Sequence, residues 1–279
     1  MTSCIFTIIK NEHKYLDEFI QYHLNIGINH IIIAEDYDSK THKNIIDKYN
    51  NVTLLSVLDF YDTEEKKQRV IYEKTHLFKM QSNYLRNGLQ FIKNNYNYDW
   101  CFVIDVDEYI TIENKYKSLN DVLSVFNEYD AILLQWENYG ANGLIYAPDY
   151  TKKGIIDTYT QKIGFQKSDE NKWVEKVKTI YNMNTYNNTF RSDHLPKSDS
   201  NWCKTDFSQD KEKIVYDKIY IRHYITKSWE EYIWKIYLRG MFHPKHRGYN
   251  SFFEMNQDMI DKKEELIKLA EDILEKHKK

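Results

Sequence analysis

Two hydrophobic periods alternate along the first hundred residues. The run "CIFTII" is continuously apolar, and residues 13–26 then place Tyr15, Leu16, Phe19, Ile20 and Leu24 at helical spacing before Gly27. A continuous run followed by a period of 3.6 and a glycine stop predicts strand, helix and turn. The pattern repeats: "HIIIAED" predicts a second strand, "KTHKNIIDKY" a short helix, and "VTLLSVL" a third strand. A long helical stretch from about Glu64 to Asn94 leads to a fourth strand, "WCFVI". Apolar strands separated by helices predict a mostly parallel sheet covered on both faces, hence an α/β fold.

The second half is less regular. The strand "AILLQW" runs into "ENYGANG", and short polar strand-like pieces follow. A strand ending "YIRHY", a helix from Trp229 and a charged helix from about Glu254 complete the chain. Neither a repeat nor a low-complexity linker divides it, so the expectation is one domain over 1–279: a first half to residue 110, a second to 240 and a helical extension at 241–279.

In parallel sheets the binding crevice lies beyond the carboxyl ends of the strands. Three predicted strand ends carry polar clusters: "KNE" at 10–12, "EDYD" at 35–38 and "DVDE" at 105–108. In the last, a buried run stops at three carboxylates, Asp105, Asp107 and Glu108. Residues i and i+2 of an extended backbone share a face, so Asp105 and Asp107 present hard oxygen donors of the kind that suits Mg²⁺ or Mn²⁺ and, through the ion, a diphosphate.

Composition narrows the classes. The 39 basic residues against 42 acidic ones, with no one-sign block, argue against nucleic acid. Cys4, Cys101 and Cys203 are far apart and lack zinc spacing, which predicts reduced thiols and a cytoplasmic protein. No run of 18 apolar residues is present, so a transmembrane segment is not expected, and peripheral membrane contact remains compatible. The 24 tyrosines suit sugar surfaces, but with abundant Asn, Lys and Ile they equally reflect nucleotide bias.

Taken in order, "TIIKNE", "LDEFIQYHLNIGINHIIIAEDYDS", "WCFVIDVDEYI", "LLQWENYGANG" and "IRHYITKSWEEYIWKIYLRG" resemble the glycosyltransferases of family 92 and the family 2-like group, with a GT-A fold, over about residues 3–240. The resemblance implies a Rossmann-like, mostly parallel sheet flanked by helices, with an elaborated second half. It implies inverting transfer of a sugar from a nucleotide-sugar donor, uridine diphosphate foremost, to a glycan or glycoconjugate hydroxyl, as in polysaccharide biosynthesis. Asp105 and Asp107 match the D-x-D motif that reaches the donor ribose and the metal-bound diphosphate. Lys10, Asn11, Glu12 and Asp36 match the base and ribose end of the pocket, and His223 matches a late histidine that completes a Mn²⁺ or Mg²⁺ site.

Other positions carry competing explanations. Gln81 falls inside the apolar stripe of its helix, where an amide needs partners in the core or on a donor. For the base that takes the acceptor proton, Glu137 at the end of "AILLQW" comes first and Asp193 second. Trp136 and Tyr139 either stack on sugars or pack in the core. Ser228 and Glu231 read as a capping box, and Lys227 as either a solvated lysine or a diphosphate contact. A haloacid dehalogenase-type phosphatase would share D-x-D, but its pattern wants Thr or Val where Tyr109 stands. A sugar-nucleotide synthesising enzyme would want glycines after the first strand, and "TIIKNEHKY" has none. A non-catalytic glycan-binding domain of the same fold is the remaining alternative.

Overall fold

The computed structural model describes residues 1–36, 40–72, 77–112, 117–163, 177–192, 194–204, 219–238 and 248–276, the side chains of residues 72, 77–81, 204 and 238 excepted. The chain divides into two compact units. One comprises Met1–Trp136 and Asp169–Arg222, the other Glu137–Ser168 and His223–Lys279.

The first unit is built on the predicted strand and helix alternation. Strand β1 (Ser3–Ile9), helix α1 (His13–Asn25), β2 (His30–Glu35), α2 (Lys43–Ile46) and β3 (Val52–Ser56) follow one another. Gly27 takes φ of +105°, a left-handed conformation that a side chain would resist, so helix α1 stops there as predicted. The long helical stretch is realised as α3 (Glu64–Tyr72) and α4 (Leu77–Asn95), and β4 (Trp100–Val103) follows. After the D-x-D come β5 (Glu108–Ile112), α5 (Leu119–Leu123), β6 (Ala131–Asn138), α6 (Ile155–Thr158), β7 (Val177–Asn182), β8 (Trp202–Lys204) and β9 (Ile219–His223).

Among the described residues the strands form one sheet in the order β3-β2-β1-β4-β7-β6-β9-β5, with β8 beside β6. Strands β3, β2, β1 and β4 are mutually parallel, whereas β7 runs antiparallel to both β4 and β6. The parallel half explains why β1 and β2 read as continuous apolar runs, since helices cover them. Cys4, Phe6, Ile32, Leu89, Cys101 and Val103 share one core with α4. A β-carbon on Gly88 would lie 2.2 Å from the Phe6 ring, so glycine is what lets α4 pack this closely on β1. The three cysteines are free and buried, as expected of incidental thiols.

The second unit holds α6, α7 (Trp229–Ile233), a π-helical turn at Trp234–Leu238, α8 (Tyr249–Met255) and α9 (Lys263–Lys276). Its core gathers Trp229, Tyr232, Phe252, Phe253, Met259 and Leu266. The Trp229 indole N–H, buried and in need of an acceptor, donates to the Leu266 carbonyl at 2.9 Å. Ser228 and Glu231 form the predicted capping box, so the start of α7 was readable from four letters. Gly240, the predicted end of that helix, lies outside the described residues.

Candidate functional site

Because β1, β2 and β4 are parallel, their carboxyl ends meet at one edge of the sheet, and the three polar clusters follow them there. At the first two ends, Lys10 pairs with Asp36 at 3.3 Å, and the Asp36 N–H donates to the Ile9 carbonyl at 3.0 Å. Asn11 adopts φ of +55°, a conformation Asn tolerates better than most residues, and its side-chain oxygen accepts the Lys40 N–H at 2.8 Å. The Glu12 N–H donates to His42 Nε2 at 2.9 Å, and Tyr15 donates to the Glu12 carboxylate at 3.3 Å. With Nε2 accepting, the His42 proton sits on Nδ1 and is donated to Glu35 at 2.6 Å. Burial, then the neighbouring His42, lowers the pKa of His13, whose ring stacks on His42 at 4.0 Å.

Lys10, Asn11, Glu12 and Asp36 thus lie at the first two strand ends; Glu35 was read only as part of the "EDYD" cluster, and His42 was missed. Glu35 closes an otherwise apolar strand, a signal that could have been used. Asp38 lies outside the described residues.

At the β4 end the chain turns sharply. The Glu108 N–H donates to the Asp105 carbonyl at 3.0 Å, and the Asp105 N–H donates to Glu108 Oε2 at 2.9 Å. Asp107 and Glu108 are buried, at 3% and 0% exposure. Burial pushes the Glu108 carboxyl well above its ordinary value; Lys178 opposes this, and Asp105 and Asp107 reinforce it.

Lys178 enters from β7, whose antiparallel course delivers its first residues to the last residues of β4. Its side chain is 2% exposed, and its Nζ lies 2.8 Å from Asp105 Oδ2 and 3.8 Å from Glu108 Oε2. The Trp136 ring flanks the ammonium, 6.0 Å away at its centroid, and packs edge-on against His194. Lys178 carries no signal in its neighbourhood of sequence that marks it for this place.

Glu137, Tyr139, His223, Lys227, Ser228 and Glu231 belong to the second unit. Glu137 accepts from the Tyr139 hydroxyl at 2.6 Å and from Lys162 Nζ at 2.5 Å. Tyr139 packs against Tyr224, and with 7% and 6% exposure Trp136 and Tyr139 take the core alternative. His223 ends β9, is 4% exposed, and its carbonyl accepts the Tyr139 N–H at 2.9 Å.

Glu231 accepts from Ser228, Tyr150 and Tyr159 at 2.7, 2.7 and 2.8 Å. Burial first, and the Glu231 charge second, raise both tyrosine pKa values, so these phenols stay protonated donors. Lys227 is 2% exposed, takes φ of +55° and donates to the Tyr224 carbonyl at 3.2 Å, which corrects the expectation of a solvated lysine. The Gln81 side chain and Asp193 lie outside the described residues.

The carboxylates Asp105 and Asp107 of the first unit have the chemistry that fits Mn²⁺ or Mg²⁺. Among the described residues no three His, Cys, Asp or Glu side chains form a ready-made metal cage. Such ions bind through one or two carboxylates plus substrate phosphates, so a cage is not required. No described helix is long and apolar enough to cross a membrane.

Solved structures to which this chain is similar include HddC from Yersinia pseudotuberculosis, 11% identical, with a TM-score of 0.38 over 74% of this chain and 90% of that one. A 4-diphosphocytidyl-2C-methyl-D-erythritol synthase is 9% identical, with a TM-score of 0.36 over 65% and 75%. No curated protein matches the sequence. The model of glycosyltransferase family 92 matches residues 1–273, nearly the whole chain and every motif quoted above, and the protein therefore belongs to glycosyltransferase family 92.

Proposed function

We propose that the protein transfers a sugar from a nucleoside diphosphate donor, with uridine diphosphate as the first choice, to a glycan or glycoconjugate hydroxyl, with inversion and with a divalent cation. The observation that supports it most is the convergence of Lys10, Asp36, Asp105 and Asp107 on one edge of a parallel sheet, where α/β folds bind nucleotides. Lys10, Asn11, Glu12 and Asp36 face the base and ribose, and the His42–Glu35 pair fixes the turn that carries them. Gln81 keeps its proposed donor contact.

Asp107, with Asp105 and His223, would hold Mn²⁺ or Mg²⁺, which when bound supplies positive charge to the donor diphosphate. Glu137 accepts the proton of the attacking hydroxyl. Both of its oxygens already receive donors, so one must give way to the acceptor, and exposed Lys162 is freer to move than buried Tyr139. Asp193 is the alternative base. The family places the phosphatase reading out of contention.

The test is sugar transfer by the purified protein from UDP-sugars, with Mn²⁺ and with EDTA. Metal-dependent transfer is expected, and Glu137→Gln should keep donor affinity yet lose roughly 10²–10⁴ in rate. Near-normal transfer by Glu137→Gln together with loss in Asp193→Asn would move the base to Asp193. Binding of UDP without turnover under all conditions would instead favour a non-catalytic domain. For His223→Ala, Mn²⁺ affinity should fall more than UDP affinity measured in EDTA; equal losses mean a packing role.

A further inference from the structure

Lys178 is almost wholly buried, whereas the aspartate it pairs with is not: the side-chain exposures are 2% and 40%. A pair formed only to stabilise a core would hide both partners, since a half-exposed carboxylate gains little from the contact and the buried ammonium carries most of the desolvation cost. Here the ammonium is packed beneath, with the Trp136 ring to one side, and the carboxylate it grips remains open to solvent.

Asp105 is also fixed from behind. Its N–H and its carbonyl are both taken by Glu108, through the 2.9 and 3.0 Å bonds that close the 105–108 turn. One oxygen of its carboxylate is anchored at 2.8 Å, so its rotamer is set before any ligand arrives. Preorganisation of this kind lowers the entropy cost of binding.

We propose that Lys178 is a positioning residue for Asp105, holding its accessible carboxylate in the orientation in which it receives the nucleoside diphosphate donor. This deepens the donor-site reading given above and rests on it. Lys178 acts through Asp105, so the two residues form one functional unit despite lying 73 positions apart.

A double-mutant cycle tests this, with UDP and Mn²⁺ as the probe and calorimetry as the readout. A hydrogen bond to a charged group is worth about tenfold or more in affinity, so Lys178→Met and Asp105→Asn should each weaken UDP binding about tenfold. Because one acts through the other, the double variant should also be weakened about tenfold, not the roughly hundredfold that independent sites would give. Lys178→Arg keeps the charge and the reach, and should stay within about threefold of wild type.

Methionine is close to lysine in volume, and replacing a buried ion-pair member by an apolar residue of similar size is often tolerated. If Lys178→Met nevertheless fails to fold, Lys178→Arg carries the test, and a loss beyond about tenfold there would overturn the proposal. Multiplying losses in the double variant, or unchanged UDP affinity in Lys178→Met, would also overturn it. Wild-type protein that binds no UDP would overturn the donor reading itself, and this inference with it; wild-type binding with multiplying losses overturns only the role of Lys178.

Discussion

Two strand ends on the same edge of the sheet each set a lysine against an aspartate, at different depths and by different routes. Lys10 and Asp36 come from consecutive parallel strands, 3.3 Å apart, with side-chain exposures of 16% and 10%. Lys178 and Asp105 come from an antiparallel pair, 2.8 Å apart, and only the lysine is buried. The first pair shares its environment evenly. The second places its cation inside the protein and its anion at the surface, so it constrains one group on behalf of something outside.

The difference should appear first in stability. Asp105→Asn leaves the buried Lys178 ammonium with the more distant Glu108 carboxyl group beside it, and removing one partner of a buried pair costs about 3 kcal/mol. Asp36→Asn leaves the more exposed Lys10, which water can reach, and should cost about 1 kcal/mol. Urea denaturation measures both, and equal losses would erase the contrast between the two ends.

Acid gives a second probe of the β4 and β5 side. His23 on α1 is completely buried; its Nδ1 donates to the Phe19 carbonyl, and its Nε2 accepts the Ile110 N–H from β5 at 3.2 Å. Burial lowers its pKa from 6.5 to about 3, against which the Phe19 bond pulls upward. Between these values the unfolded chain binds a proton that the folded chain refuses. The contribution of neutral His23 is therefore complete above pH 6.5 and is lost as pH falls from 6.5 toward 3, at up to about 1.4 kcal/mol per pH unit. Thermal melts across that range should show a steeper acid loss in wild type than in His23→Gln, and parallel curves would refute the assignment.

Glu108 works with the opposite sign. Its folded pKa is raised well above 4.5, so above pH 4.5 the unfolded chain releases a proton that the fold retains, and stability is lost as pH rises. Glu108→Gln can still accept the Asp105 N–H while removing the ionisable group. Its stability relative to wild type should grow as pH rises above 4.5. A difference that shrinks with rising pH would mean that Glu108 is held ionised.

The two ends also differ in how far the sequence revealed them. Lys10 and Asp36 each follow an apolar run of their own, and the strand and helix alternation alone implies that parallel strands bring their ends together. The D-x-D was visible for the same reason, at the close of "WCFVI". Lys178 was not visible, because it depends on β7 inserting between β4 and β6 in antiparallel sense, a pairing that no local pattern encodes. His42 escaped for a related reason: it opens a short helix, where a polar residue is ordinary, and only the tertiary fold brings it to Glu35 and the Glu12 N–H. The Ser228 and Glu231 box was legible because capping is local. The solvated reading of Lys227 failed because its burial comes from the core that forms around α7.

The central claim is that the carboxyl edge of the sheet holds a metal-bound nucleoside diphosphate through the D-x-D, and calorimetry with UDP and Mn²⁺ on wild type and Asp107→Ala tests it most directly. Wild type should bind UDP more tightly with Mn²⁺ than with EDTA, and Asp107→Ala should lose that metal-dependent gain while keeping a cooperative thermal melt. UDP affinity in Asp107→Ala that still rises with Mn²⁺ as it does in wild type would contradict it.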